Sequence, residues 1–200
     1  MSTHIYVEGG DSREDQIRCR EAFRTLIGKL GFAAAKRMPR LFACGGRNRA
    51  LDDFTTAQAN GKPGDFIALL VDSEEPVANP SAPWEHLKAR DNWARPPGAE
   101  EDQVLLMITC METWIVADRA ALKEHHGQKF QENALPPLVN LEQRSRKDVH
   151  ERLVHATRHC SNAFAKGKRS FEILAKLDPA VLRQHLPSFV RLEWILRAKL

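Results

Sequence analysis

The sequence predicts an α/β fold: a central, mostly parallel sheet flanked by helices, followed by a helical C-terminal part. Two observations carry this expectation. Short apolar runs at residues 4–7, 41–44, 66–71 and 104–110 alternate with segments of helical periodicity, a pattern that calls for parallel pairing through right-handed crossovers. Beyond residue 127 the strand pattern does not return and the apolar spacing is helical. The expected organisation is an α/β core over residues 1–127, carrying a Pro- and Trp-rich insertion at 76–102. A helical part over 128–200 packs on that core as one domain.

Each element has its own signal. Residues 4–7 read as a strand that runs into Glu8-Gly9-Gly10. Asp11 with Glu14 has capping-box spacing. Cys19, Phe23, Leu26, Ile27 and Leu30 then follow a helical period, and Gly31 is the expected stop. A short strand at 41–44 ends at Gly45-Gly46-Arg47, and a second helix is expected over about 48–59, closed by Asn60-Gly61. Residues 66–71 read as a buried strand running into Asp72-Ser73-Glu74-Glu75. The 76–102 segment holds Pro76, Pro80, Pro83, Pro96 and Pro97 together with Trp84 and Trp93. A connection of this length is uncommon in a compact domain. Its tryptophans predict an ordered flap, either pinned to the core by both rings or guiding a substrate. Residues 104–110 form the most apolar strand and lead through Met111 to Asp118 into a helix ending at Gly127. Val149, Leu153, Ala156, Cys160 and Phe164 make one helical stripe. Asp178-Pro179 reads as an N-cap followed by Pro at the first helical position. A last helix is expected over about 188–199, with Trp194 and Ile195.

Bulk composition narrows the functional classes. At 200 residues, 42% hydrophobic and 28% charged, the chain has the make-up of a globular protein with a real core. A net charge of +4 permits nucleic-acid binding without requiring it. Basic residues are densest in the last third, where Arg144, Arg146, Lys147, Arg152, Arg158, Lys166, Lys168 and Arg169 lie; a solvated helical face explains them equally well. None of Cys19, Cys44, Cys110 and Cys160 lies within four residues of another. That spacing argues against a zinc ribbon or disulfide framework and for a reducing cytosol. Apolar runs stay short of the ~18 residues that span a membrane, and the N-terminus lacks a signal-peptide pattern. A soluble, cytoplasmic protein is expected. His155 and His159 lack the intervening Glu of a zincin, and neither a P-loop nor a Gly-x-Ser-x-Gly elbow occurs.

The chemistry-bearing residues sit where strands end. Open parallel sheets place ligand sites at the carboxyl ends of their strands, and Glu8, Asp72 and Glu74 fall there. Asp72 and Glu74 are two apart, so on extended backbone both carboxylates point one way. Carboxylates converging on one edge repel each other unless a hard cation intervenes, and Mg²⁺ is the usual one where phosphate is the substrate. Glu112 follows the 104–110 strand and could join the cluster, or simply complement a helix dipole. Gly9 and Gly10 would let a phosphate approach the backbone, and Arg47 begins a helix after two glycines. Lys166 and Lys168 form a compact basic spot that could neutralise a phosphate. Each of these features is also compatible with an ordinary strand–turn–helix connection or a solvated turn.

Taken together, these residues resemble the Toprim-like proteins, whose pattern is a Glu-Gly after the first strand and an Asp-x-Asp-type pair after a later one. They are more similar still to a Toprim-like family, domain of unknown function 4276. That resemblance is carried by Val7-Glu8-Gly9, Gly45-Gly46-Arg47, the Leu70–Glu74 stretch, the Met111–Asp118 block and residues 166–177 with Asp178-Pro179, and it covers most of the chain. It implies a Toprim-like core and Mg²⁺-dependent (or Mn²⁺-dependent) cleavage of DNA or RNA phosphodiesters. Glu8, Asp72 and Glu74 would be ligands and catalytic residues, Glu112 a further ligand, and Lys168 part of the catalytic set. Gly9, Gly10, Arg47 and Lys166 would bind phosphate. It also implies an anti-phage effector working with an ATPase partner encoded nearby, and leaves a homo-oligomer open. Two alternatives stand beside it: a non-catalytic subunit that regulates an ATPase, and an enzyme hydrolysing free nucleotides. The sequence departs from the Toprim pattern in its third acid, Glu74 in place of Asp. Tyr6, the only tyrosine, lies inside the first strand and gives a topoisomerase no nucleophile.

Overall fold

Residues 2–200 are described by a computed structural model. Among these residues four strands, β1 (Thr3–Val7), β2 (Arg40–Ala43), β3 (Phe66–Asp72) and β4 (Val104–Met107), form one all-parallel sheet in the order β2-β1-β3-β4. Among the described residues nine α-helices surround it: α1 (Arg13–Ile27), α2 (Arg47–Asn60), α3 (Pro83–Asp91), α4 (Met111–Ala117), α5 (Arg119–His126), α6 (Arg146–Thr157), α7 (Lys168–Leu174), α8 (Pro179–His185) and α9 (Pro187–Lys199). The α/β class with a central parallel sheet and a helical C-terminal region is the observed architecture.

Sheet residues divide between two cores by the period-two rule. Ile5, Val7, Ala68, Leu70, Leu105 and Met107 face one side, where they pack with α1, α4 and the helices α6 to α9. Ile67, Leu69, Val71, Val104 and Leu106 face the other, against Phe54 of α2 and Trp84 and Leu87 of α3. All seven residues of β3 are buried, as expected for a central strand covered on both faces. C-terminal helices therefore share the core of the sheet, and Phe189 of α9 meets Trp114 of α4 edge-to-face at 5.1 Å.

Strand order places the functional crevice. From β1 the chain passes through α1 to β2 on one side; from β3 it passes through α3 to β4 in the opposite direction. β1 and β3 are neighbours whose onward connections diverge, so a crevice opens between their carboxyl ends. Glu8 and Asp72 stand at those ends.

Several expectations are corrected in detail. Ser12, not Asp11, caps α1, its hydroxyl accepting from the Asp15 amide at 3.1 Å. Gly31 does not stop the helix cleanly: α1 runs into a π-type turn, Gly28–Phe32, in which Gly31 turns left-handed at φ +98°. β4 is shorter than the apolar run because residues 108–110 leave the sheet to build a loop at the site, where the Thr109 carbonyl accepts from the Glu74 amide at 2.7 Å. The 76–102 segment is ordered and pinned to the core by both rings, the first of its two expected readings. It contains α3, and both Trp84 and Trp93 are buried. Pro83 reads as a breaker in sequence but occupies the first turn of α3, where its missing amide costs nothing. Val149, Leu153 and Ala156 lie on α6, while Cys160 and Phe164 continue the buried stripe past its end. Among the described residues no helix is long and apolar enough to cross a membrane.

The turn after β1 depends on glycine. Gly9 and Gly45 exchange backbone hydrogen bonds at 2.8 and 3.1 Å. Gly10 has φ +86°, and a Cβ on it would stand 2.5 Å from the Gln16 nitrogen. Gly10→Ala is therefore expected to destabilise the protein by about 1–3 kcal/mol, the range for a side chain forced into a strained backbone region. Thermal unfolding checks this, and a melting temperature equal to that of the wild type would contradict it.

Candidate metal centre

Pairing between β1 and β3 aligns Val7 with Leu70, so Glu8 comes to lie beside the end of β3. The Glu8 amide donates to the Leu70 carbonyl at 2.9 Å, and the Asp72 amide donates to Glu8 Oε2 at 3.2 Å. The sheet ladder itself thus fixes the Glu8 carboxylate. Asp72, the last residue of β3, accepts on Oδ1 from the Met111 amide at 2.8 Å, which ties it to the start of α4.

Glu74 reaches the same place by a different route from the one its spacing predicts. The backbone does not stay extended: Glu74 adopts φ +68°, a region uncommon for a residue with a Cβ. The Ser73 and Glu74 amides donate to the Met107 and Thr109 carbonyls at 3.0 and 2.7 Å, which holds the bend. One carboxylate oxygen each from Glu8, Asp72 and Glu74 consequently lies within 4.8 Å of the others. Glu112, buried in the first turn of α4, lines the adjoining cavity of about 230 Å³ together with Glu8, Asp72, Gly9, Gly10, Arg146 and Lys166.

Guanidiniums offset part of this charge. Arg47, at the start of α2, pairs with Glu8 at 3.3 Å, donates to the Asp72 carbonyl and pairs with Asp91 at 2.5 Å, its face resting 4.6 Å from the Trp93 ring centre. Arg146, the first residue of α6, pairs with Glu74, and Arg90 of α3 stands 3.7 Å from the same carboxylate. Five carboxylates, those of Glu8, Asp72, Glu74, Asp91 and Glu112, meet three guanidiniums. The donors are hard oxygens, the acids outnumber the bases, and the triad is close enough for one ion. This set fits a divalent cation bound through oxygen.

The family model for Domain of unknown function (DUF4276) matches residues 11–197. The chain belongs to the DUF4276 family. No curated protein and no solved structure matches it. The matched span of this DUF4276 chain takes in Asp72, Glu74, Glu112, Arg47, Arg90 and Arg146.

The remaining residues of interest separate. Gly9, Gly10 and Lys166 border the acidic cavity, although the Gly9 amide is already spent on the Gly45 carbonyl. Arg47 touches the carboxylates directly. Lys168 does not face the cavity: it is exposed, pairs with Glu172 at 4.0 Å and lines a separate groove between α1 and α7. Sequence reasoning missed Arg90, Asp91 and the placement of Trp93 behind Arg47, and counted Arg146 only as one of many basic residues. Nothing in their local sequence marks them, since each acts from an element whose position is set by tertiary packing.

Burial and crowding together show in the proton affinities. Burial, then the nearby charges of Glu8 and Glu112, raises the Asp72 pKa well above the ordinary aspartate range, with Arg146 opposing. Burial also raises Glu8, against the lowering effects of Arg47 and the Asp72 amide. A carboxylate that binds its proton more tightly when folded stabilises the fold below its unfolded pKa, and loses that contribution as pH rises through the folded value. Asp72→Asn keeps an acceptor for the Met111 amide and removes the charge. The variant, without metal, is expected to be more stable than the wild type at pH 7 by about 1 kcal/mol, a common single-substitution size. The difference should vanish near pH 4. Denaturant unfolding across that range checks it, and a wild type that is more stable at pH 7 would refute the reading.

Proposed function

We propose that this DUF4276 protein is a Toprim-like, Mg²⁺- or Mn²⁺-dependent hydrolase of nucleic-acid phosphodiesters, acting as an effector with an ATPase partner in anti-phage defence. The observation that carries the hydrolase reading is the convergence of Glu8, Asp72 and Glu74 within 4.8 Å at the crevice between β1 and β3. A Glu-Gly after the first strand and an acid-x-acid pair after a later one are the Toprim features. The polymer substrate, the defence role and the ATPase partner rest on that resemblance.

Asp72 and Glu74 would hold the cation, with Glu8 or Glu112 completing its oxygen shell. A bound divalent ion would supply Lewis-acid neutralisation of phosphate charge. Glu8 is the general-base candidate. Its Oε2 accepts from the Asp72 amide and Arg47, which holds the carboxylate in place at the crevice. Lys166 borders the same cavity and offers a counter-charge for the phosphate.

One observation favours a non-catalytic subunit instead: Arg47, Arg90 and Arg146 already partner the acids. The free-nucleotide reading has less support, because about 230 Å³ falls below the ~300 Å³ at which small-molecule pockets begin.

Cleavage of mixed DNA and RNA with Mg²⁺ or Mn²⁺ decides between these readings. Glu8→Ala and Asp72→Ala are expected to lower the rate about 100-fold or more, with circular dichroism unchanged. The wild-type rate should fall as pH drops and the raised carboxylates take up protons. Normal cleavage by Asp72→Ala would refute the assignment. No cleavage by the wild type, with or without a candidate ATPase, would support the scaffold.

A further inference from the structure

The three guanidiniums at the acidic edge are not equivalent. Arg47 is only 14% exposed and all three of its nitrogens are engaged, Nε and Nη2 by Asp91 and Nη1 by Glu8 and the Asp72 carbonyl. With the Trp93 ring against its face, it is a fixed strut. Arg90 is shared between Asp91 and Glu74. Arg146 is different. It is 35% exposed, and among the described residues its side chain pairs with Glu74 alone. It borders the cavity that also takes in Glu8, Asp72 and Lys166.

The surroundings of Arg146 permit its side chain to move while its backbone stays put. Ser145 caps α6 by accepting from the Asp148 amide at 3.2 Å, and the Arg144 carbonyl accepts from Thr109 Oγ1 at 3.2 Å. Glu74 keeps Arg90 nearby, so the departure of Arg146 would not leave that carboxylate without a positive neighbour. A divalent ion outcompetes a single guanidinium for a carboxylate beside two others. The released guanidinium is a planar fork suited to two oxygens of a phosphate.

We propose that Arg146 is a displaceable latch and the anion-recognition group of this site. It neutralises Glu74 while no divalent cation is present, and turns across the cavity to a phosphate oxygen of the substrate once a cation takes Glu74. The proposal rests on the metal-site reading above and deepens it. The ligand it selects is a phosphodiester anion; a neutral substrate would leave the displaced guanidinium half-buried and unpaired.

The test is Mn²⁺ binding by calorimetry, then binding of a phosphorothioate-linked hexathymidylate with and without Mn²⁺. The proteins are wild type, Arg146→Gln, Arg146→Lys, Asp72→Ala and, as a control on the same helix, Arg152→Gln. Arg146→Gln is expected to bind Mn²⁺ about fivefold more tightly, the scale of one partly exposed ion pair. It should bind the oligonucleotide more weakly, with a salt slope smaller by about 1. The wild type should bind the oligonucleotide more tightly with Mn²⁺ than without, and Arg152→Gln should match it. Arg146→Lys keeps the charge but not the fork. If Arg146→Gln fails to fold, Arg146→Lys carries the test through weakened, less Mn²⁺-dependent oligonucleotide binding, and wild-type behaviour from it would overturn the proposal. Equal or weaker Mn²⁺ binding by Arg146→Gln, with wild-type binding that Asp72→Ala abolishes, overturns the latch and leaves the metal site standing. Absence of Mn²⁺ binding from both wild type and Arg146→Gln overturns both.

Discussion

Mutual repulsion of carboxylates at one end of a parallel sheet is the constraint around which the rest of this structure is arranged. Parallel strands deliver their carboxyl ends to a single edge, and here Glu8 and Asp72 arrive on adjacent strands. Glu74 is brought back to them by a left-handed turn. Such a cluster can persist without bound metal only if cations or protons offset it. Three arginines come from α2, α3 and α6, and Asp72 and Glu8 hold protons more tightly than ordinary carboxylates.

That demand accounts for elements that otherwise look like decoration. The segment between β3 and β4 folds into α3, which supplies Arg90 and Asp91 and leads to Trp93. Asp91 and the Trp93 ring hold Arg47 so that its remaining donors meet Glu8 and the Asp72 carbonyl. Partly buried ion pairs of this kind contribute little net stability, because desolvation offsets most of the attraction. Their evident effect is geometric. Stability must come from elsewhere, namely the doubly covered β3 and the packing of Phe23, Trp114 and Phe189 beneath the sheet.

Features written in local sequence were legible, and those created by packing were not. Apolar runs gave four strands, and alternation gave their parallel pairing. Glu8, Asp72 and Glu74 could be singled out because acids directly after buried strands must gather at one edge. The route of Glu74 could not be read, since nothing local announces that a glutamate will turn left-handed. α3 was hidden because its proline signal has two meanings, breaker or first-turn residue, and only packing chooses between them. Arg146 was one basic residue among many in the last third; its distinction is that α6 begins beside Glu74. Lys168 shows the converse. It is two residues from Lys166, yet the start of α7 turns it into a different groove.

An acidic site balanced by arginines has a thermodynamic consequence that a bare one lacks. A cation entering a cluster without arginines has only protons to displace. On the proposed reading a cation entering this cluster would displace Arg146 from Glu74, and its net affinity would be lowered by whatever that pair contributed. The displaced Arg146 recovers the loss only by meeting another anion. Binding of metal and of phosphate would then favour each other, and linkage would make the effect reciprocal: by whatever factor the metal tightened the anion, the anion would tighten the metal. Arg47 cannot take part, because all its nitrogens are engaged and its face is covered. Division of labour between a fixed arginine that shapes the carboxylates and a half-exposed one that answers to ligand would keep the metal weakly held until an anionic substrate is present.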